Sequence, residues 1–306
     1  MISKQATPQS LQARAPVKRF PPVLLKVFFL TLITVFMVSI GVSWAIVHPT
    51  RRPVNETPST VGLEYEEVTF FSREDGLELR GWLLPSKDSD RTVIVAHGYH
   101  NNRLQDDVPA LLLVKELVHT GYNVLLFDFR NCGNSPGQMT SIGQYEVRDL
   151  LGAIDFVQAS PAISRRIAVL GFSMGASTAI LAGVQEPAVD VIIADSPFAD
   201  LKALFRTKFY PFGDLIAHEI SFLTGLRPGQ VSPATALRGP ASKPLLIIHG
   251  DADEVIPKEH SQELLRAGGP NANLWIVPGA KHLKSYAVAG SSYSSRVIDF
   301  LNDNLR

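Results

Sequence analysis

The chain has 306 residues, of which 45% are hydrophobic and 19% are charged, a balance typical of one large α/β domain or two smaller globular domains. The formal charge is zero, but residues 1–52 contain seven basic and no acidic residues, which leaves 22 basic against 29 acidic residues, a net charge of −7, in the rest. This acidic body argues against a nucleic-acid partner, and a single cysteine, Cys132, excludes an internal disulfide and a multi-cysteine metal site.

An uncharged apolar segment covers residues 27–47. As a helix it would extend about 30 Å, which matches the hydrocarbon thickness of a bilayer. Lys26 precedes the segment, and Trp44 lies near its other end, where an interfacial aromatic residue is expected. Basic residues concentrate upstream, whereas acidic residues follow soon after. The pattern predicts a single-pass membrane helix with a cytoplasmic N-terminus, residues 1–26, and an extracytoplasmic body.

A cleaved signal peptide is the alternative for this segment. Ser43 and Ala45 would fit a small-x-small cleavage site, but the uncharged stretch is longer than the roughly 7 to 15 residues of a signal-peptide core. The sequence therefore favours a retained anchor. A Pro- and Thr-rich linker is predicted over residues 48–63, before a globular domain assigned to residues 64–306.

In that domain, short apolar runs alternate with helical patterns, which predicts a mostly parallel sheet with helices on both faces. Eight strands are predicted at residues 65–71, 77–84, 92–96, 123–127, 166–170, 189–194, 244–249 and 273–277. The first two resemble an antiparallel hairpin. Helices are predicted at residues 107–120, 145–159, 173–185, 259–267 and 291–304. In such a sheet, ligands bind beyond the carboxyl ends of the strands.

The pentapeptide Gly171–Gly175 has the pattern G-x-S-x-G and stands between a predicted strand and a predicted helix. This arrangement is a nucleophile elbow, whose glycines permit a tight turn that lifts the serine above the sheet edge. Ser173 is therefore the candidate nucleophile. The backbone N–H of Met174, the next residue, is a candidate donor to the oxyanion that forms on attack.

A serine hydroxyl needs a base that accepts its proton, and the base needs an acid that orients it. His282 follows the last predicted strand, where hydrolases with this elbow carry the base. We interpret His249 as a structural residue at a strand end, and His218 and His260 as residues of helix surfaces. Spacing alone does not choose the acid among four carboxylates, Asp195, Asp251, Asp253 and Glu254.

Residues 197–240 interrupt the alternation of strands and helices and are rich in large apolar side chains. They predict a small helical cap. Their aromatic density is consistent with an apolar acyl pocket beside Ser173, and equally with ordinary packing of the cap on the body.

Five motifs in chain order resemble the α/β-hydrolase superfamily, namely His97-Gly98-Tyr99, DFRNCGNS at 128–135, Gly171–Gly175, HGDADEVIP at 249–257 and Gly279–His282. Within it, the chain is most similar to the membrane-anchored BEM46-like serine hydrolases, over roughly residues 64–304. The resemblance implies that Asp253 is the acid, with Asp251 in reserve, and that the Tyr99 N–H completes the oxyanion hole. Asn131 departs from the glycine usual at its position, but asparagine tolerates left-handed backbone.

The sequence therefore predicts an α/β-hydrolase fold and a serine hydrolase that needs no cofactor or metal. It would cleave a carboxylic ester or thioester of a small-molecule or lipid-like acyl substrate through an acyl-enzyme. Two alternatives remain, a serine peptidase of aminopeptidase type and a catalytically silent, membrane-tethered binding protein on the same fold.

Overall fold

The structure is a computed structural model that describes residues 21–163, 165–240 and 243–305. The chain divides into two compact units, with the boundary between Val38 and Ser39. In the first unit, residues 22–38 are helical and exposed. Residues 1–20 of the basic N-terminal segment lie outside the described ranges.

Helix α1 (Pro22–Val47) has 26 residues and contains the apolar segment predicted at residues 27–47. By length and composition it is able to cross a membrane. The helix itself is confirmed, whereas its insertion into a membrane stays a prediction. Its last residues, from Ser39 onward, belong to the second unit.

The second unit contains one sheet of eight strands: β1 (Glu66–Phe71), β2 (Glu78–Leu84), β3 (Arg91–Ala96), β4 (Asn123–Phe127), β5 (Arg166–Phe172), β6 (Val189–Asp195), β7 (Leu245–Gly250) and β8 (Ala272–Val277). Their spatial order is β1-β2-β4-β3-β5-β6-β7-β8. Strand β2 is antiparallel to β1 and to β4, and the other neighbours are parallel. The predicted strands and fold class are confirmed.

Nine further α-helices occur in the described part of this unit: α2 (Ala110–His119), α3 (Glu146–Gln158), α4 (Met174–Gln185), α5 (Leu201–Lys208), α6 (Gly213–Thr224), α7 (Pro233–Leu237), α8 (Glu259–Gly268), α9 (Ser285–Ala289) and α10 (Ser291–Asn304). The five predicted helices are confirmed as α2, α3, α4, α8 and α10. Helix α2 begins three residues later than predicted because the residue before a proline, here Val108 before Pro109, disfavours helical backbone.

Two apolar layers cover the two faces of the sheet. Along β3, Val93 and Val95 point into one layer, whereas Ile94 and Ala96 point into the other, as the two-residue period of a strand requires. Helices α2 and α10 contribute buried residues to the first layer, and α3, α4 and α8 to the second. Because both faces are covered, the central strands β3 to β7 are almost entirely buried.

Helices α5, α6 and α7 lie between β6 and β7, in the segment that the sequence predicts as a cap. We call residues 197–240 the cap segment. Asp200 accepts a hydrogen bond from the Ala203 N–H at 2.8 Å and thereby caps α5. The cap segment follows the carboxyl end of β6, which brings it to the same edge of the sheet as Ser173.

Candidate active site

Ser173 is the single residue between the end of β5 and the start of α4. Its φ of +52° is unusual for a residue with a side chain, so the turn holds it in a strained conformation. Both flanking glycines are required by close backbone contacts. A Cβ at Gly171 would lie 2.2 Å from the Gly175 carbonyl oxygen, and one at Gly175 would lie 2.2 Å from the Ala96 carbonyl oxygen.

The structure brings His282 and Asp253 to Ser173. Nε2 of His282 lies 3.0 Å from Ser173 Oγ, and its Nδ1 lies 2.7 Å from Asp253 Oδ2. These partners assign the proton to Nδ1, which donates to the carboxylate, and leave Nε2 to accept the hydroxyl proton. The contact follows from topology: β7 and β8 are parallel neighbours, so the loops after them meet at the carboxyl edge of the sheet.

The carboxylate of Asp253 is buried and satisfied on both oxygens. Its Oδ1 accepts from the N–H groups of Val255 and Ile256 at 2.8 and 2.9 Å. Burial alone would raise the pKa of Asp253, but the contacts with His249 and His282 outweigh it and hold that pKa well below its ordinary value. Asp253 is therefore ionised above about pH 4, the ordinary pKa of an aspartate.

The other three candidate acids are placed differently. Asp251 is exposed, and its Oδ1 accepts from the Gly279 N–H at 2.6 Å. Glu254 is exposed as well. Asp195 is buried and accepts from the Tyr293 hydroxyl at 2.8 Å, and burial raises its pKa. Of the four carboxylates, all within the described ranges, Asp253 alone hydrogen-bonds to His282.

The loop after β3 runs beside the serine. A Cβ at Gly98 would lie 3.4 Å from Ser173 Cβ, so glycine lets this loop approach the nucleophile. The Gly98 N–H donates to Oε1 of the buried Gln105 at 2.5 Å, which holds the loop in place. Tyr99 and Met174 both line the cleft together with Ser173. The role of Gln105 was not expected, because Gln105 lies outside every motif of the sequence.

An open cleft, lined mainly by apolar side chains, adjoins Ser173. Five of its apolar side chains come from the cap segment, namely Phe198, Leu201, Leu204, Phe205 and Phe209. Ile142, Val255 and Ile256 come from loops of the body, and Ile46 comes from α1. The sequence indicates the cap residues, but it carries no signal for Ile142 or Ile46, because both are ordinary apolar residues far from the motifs.

Ile46 is tied to the cleft by its backbone. The Tyr99 hydroxyl donates to the Ile46 carbonyl oxygen at 2.8 Å, and the Thr140 N–H donates to the Val47 carbonyl oxygen at 2.9 Å. Burial raises the pKa of Tyr99 to about 12, so its hydroxyl stays protonated and able to donate. The last turn of α1 is thus built into the wall of the cleft.

Of the predictions made for the remaining histidines, the one for His260 is wrong. His218 is exposed on α6, and His249 is buried at the end of β7, where Nε2 donates to the Ile256 carbonyl oxygen at 2.8 Å. His260 is not a surface residue as predicted. It is buried, its Nδ1 accepts from the Ala199 N–H at 3.2 Å, and burial lowers its pKa. It joins α8 to the start of the cap segment, a contact between distant parts of the chain that local sequence does not reveal.

The DFRNCGNS motif is structural. Asp128 and Arg103 form a buried ion pair, with Arg103 Nη2 2.7 Å from Asp128 Oδ2, and the pair fixes the loop that carries Gly98 and Gln105. Asn131 has a φ of +57°, so it adopts the left-handed conformation for which glycine is usual. In the described ranges, no group of three or more His, Cys, Asp or Glu side chains is arranged to hold a metal ion.

One family model and two bacterial proteins are similar to this chain in sequence. The family model of the X-Pro dipeptidyl-peptidase (S15 family) matches residues 81–218. Two curated bacterial proteins match most of the chain. YqkD of Bacillus subtilis (strain 168) is 31% identical over 239 residues, 74% of this chain and 76% of YqkD, and YfhR of Escherichia coli (strain K12) is 26% identical over 295 residues, 94% and 96% of the two chains.

Among solved structures, the esterase Pf2001 of Pyrococcus furiosus superposes with a TM-score of 0.74 at 32% sequence identity. The match covers 85% of this chain and 99% of that chain. The likeness therefore extends over the whole of that esterase, and the fold of this chain is shared with it.

Proposed function

Because the chain belongs to the α/β-hydrolase superfamily, we propose that it is a serine hydrolase that cleaves a carboxylic ester or thioester through an acyl-enzyme. The observation that carries the proposal is the hydrogen-bonded series from Ser173 through His282 to Asp253, at the end of an apolar cleft. The similarity to an esterase over its full length supports the choice of an ester.

In the proposed reaction, Ser173 Oγ attacks the carbonyl carbon while His282 Nε2 takes the hydroxyl proton. Asp253 holds the ring with its proton on Nδ1 and stabilises the imidazolium that forms. His282 then gives the proton to the leaving alcohol or thiol as the tetrahedral intermediate collapses to the acyl-enzyme. In the second half, His282 takes a proton from water as the water oxygen bonds to the acyl carbon. It then returns that proton to Ser173 Oγ as the bond between Oγ and the acyl carbon breaks and the acid is released.

The carbonyl oxygen becomes negatively charged in both tetrahedral intermediates. We assign its stabilisation to the N–H groups of Met174 and Tyr99, which come from the two segments that flank Ser173 in the cleft. The start of α4 at Met174 adds the positive end of a helix dipole at the same place. The acyl chain would occupy the apolar cleft between the cap segment and Ile46.

An active-site fluorophosphonate probe should label the wild-type protein and fail to label Ser173→Ala. The reason is that the probe reacts only with a serine whose proton is taken by a neighbouring base. Ser295→Ala, which removes an exposed hydroxyl on α10, is the matched control and should be labelled like the wild type. Equal labelling of Ser173→Ala and the wild type, quantified by gel fluorescence, would refute the assignment.

A serine peptidase is the second candidate, favoured by the family match to the X-Pro dipeptidyl-peptidase over residues 81–218. An amide differs from an ester chiefly in needing protonation of a poorer leaving group. We expect p-nitrophenyl acyl esters to be cleaved at least tenfold faster, by kcat/KM, than aminoacyl p-nitroanilides. The reverse order would identify a peptidase, and the absence of both activities together with the absence of labelling would favour a silent binding protein.

We also propose that α1 is a retained single-pass anchor with a cytoplasmic N-terminus and an extracytoplasmic catalytic domain. The charge bias around the apolar segment supports the orientation. Retention is supported by the contacts of its last residues, because cleavage after Ala45 would separate the catalytic domain from the buried side chains of Ser39 and Ser43. A segment that is removed during export has no reason to form part of the mature fold.

A further inference from the structure

Two serines of α1 hydrogen-bond to one carboxylate of the cap segment. Ser39 Oγ donates to Glu219 Oε1 at 2.6 Å, and Ser43 Oγ donates to Glu219 Oε2 at 2.8 Å. The serines are four residues apart, so they lie on one face of the helix. All three side chains are buried, and Glu219 belongs to α6. This contact, the serine–glutamate clamp, joins α6 to the last turns of α1.

The part of α1 that precedes the clamp is too short to cross a bilayer by itself. A helix rises about 20 Å over the 13 residues from Lys26 to Ser39, less than the roughly 30 Å of a hydrocarbon core. Even if the segment began at Pro22, the rise to Ser39 would be about 26 Å. If α1 spans a bilayer, residues 39–47 must therefore complete the span. The clamp then holds α6 within about 10 Å of the outer boundary of the hydrocarbon core rather than in open water.

The cap segment exposes large aromatic side chains. Phe222 is 90% exposed and Tyr210 is 85% exposed, and Phe212 is 45% exposed. Phe222 lies on α6 only three residues after Glu219, less than one turn from the clamp. Phe222 and Tyr210 are thus covered by little else in the described chain, and large aromatic side chains of this kind suit the interfacial layer of a membrane.

We propose that the cap segment docks on the lipid bilayer through Phe222, Phe212 and Tyr210, with the serine–glutamate clamp setting its depth. This rests on the proposed anchor and hydrolase functions and names their substrate class. The cleft has Ile46 of α1 in its wall, so the bilayer that surrounds α1 is the nearest source of acyl chains. The substrate is an acyl lipid taken from the membrane rather than an ester dissolved in water.

The docking is testable with a cysteine-directed fluorophore. Cys132 is buried, and burial raises the pKa of its thiol, so a cysteine introduced at an exposed position is the one that reacts. Phe222→Cys and the control Ser295→Cys, on the exposed face of α10, are labelled with an NBD maleimide in the full-length protein reconstituted in phosphatidylcholine vesicles. We expect lipids with an acyl-chain nitroxide to quench the label at position 222 at least twofold and to leave position 295 unquenched.

Equal, weak quenching at both positions would overturn the docking. A blue-shifted label at position 222 that lipid nitroxides do not quench would also overturn it, since a second copy of the chain rather than lipid would then cover the surface. The same labelling in a Ser173→Ala background, and retention in the vesicles after alkaline carbonate, report docking and anchoring without any turnover. Failure of the proposed hydrolase would leave these results unchanged.

The substrate class has its own readout. We compare the turnover of a long-chain acyl ester dispersed in the vesicles with the turnover of p-nitrophenyl acetate in water. Phe222→Ser should lower the ratio of the first rate to the second at least fivefold. An unchanged ratio would overturn the delivery of substrate from the membrane even if the label proved to be in lipid.

Discussion

Asp253→Asn is expected to lower kcat for ester hydrolysis by about four orders of magnitude, whereas Asp251→Asn should change it by no more than about threefold. Asparagine has nearly the same shape as aspartate, so the loop keeps its geometry. The side-chain amide of asparagine would instead donate to Nδ1 of His282, which places the ring proton on Nε2. Nε2 could then no longer accept the proton of Ser173 Oγ. Steady-state kinetics on a p-nitrophenyl acyl ester measure the effect.

Asp251 is the matched control because it lies in the same turn, two residues away, yet is exposed, and its side chain accepts from the Gly279 N–H rather than from His282. A larger loss in Asp251→Asn than in Asp253→Asn would make Asp251 the acid. The pKa of Asp253 is held below its ordinary value, so the stabilisation from its ionised form is present above about pH 4 and is lost as pH falls through the lower folded-state pKa. A fall in activity near neutral pH therefore cannot come from Asp253.

The sheet was predictable because its signals are local. Strands β3 to β7 are short apolar runs bounded by turn residues, and a strand covered on both faces needs little else. Gly121 has a φ of +92° and lies just beyond α2, next to the helix end predicted at residue 120. The largest shift of a boundary in the second unit, three residues at the start of α2, reflects a proline whose effect outweighs the helical pattern before it, and the other boundaries moved by no more than two residues.

The site was predictable only where a motif carries it. The elbow around Ser173 and the loop position of His282 are local features, and the structure brings these residues together. Asp251 and Asp253 differ by burial and by their partners, which depend on the loop after β8 and cannot be derived from spacing. The clamp between Ser39 and Glu219 joins residues 180 positions apart, and no periodic pattern marks such a contact.

Asp128→Ala is expected to lower the free energy of unfolding of the catalytic unit by about 3–5 kcal/mol. The side chains of Asp128 and Arg103 are both fully buried, and Asp128 accepts from the Arg103 backbone N–H at 2.8 Å as well as from its guanidinium. Alanine would leave the guanidinium charged and buried, with the exposed carboxylate of Glu67, 3.8 Å from Nη1, as a poor substitute for Asp128. Urea unfolding of the full-length protein in detergent micelles, followed by tryptophan fluorescence, gives the free energy.

Asp90→Ala is the control, because the ion pair of Asp90 with Arg165 is exposed and should contribute less than about 1 kcal/mol. If Asp128→Ala does not fold, Asp128→Asn, which retains one acceptor oxygen, should unfold at a measurable but lower urea concentration than the wild type. The double variant Asp128→Asn/Arg103→Met, which removes both charges, should recover part of the loss, since the cost arises from a buried charge without its partner. A loss no larger than that of Asp90→Ala would mean that Arg103 finds another counter-ion and that the pair does not hold the loop that carries Gly98 and Gln105 beside Ser173.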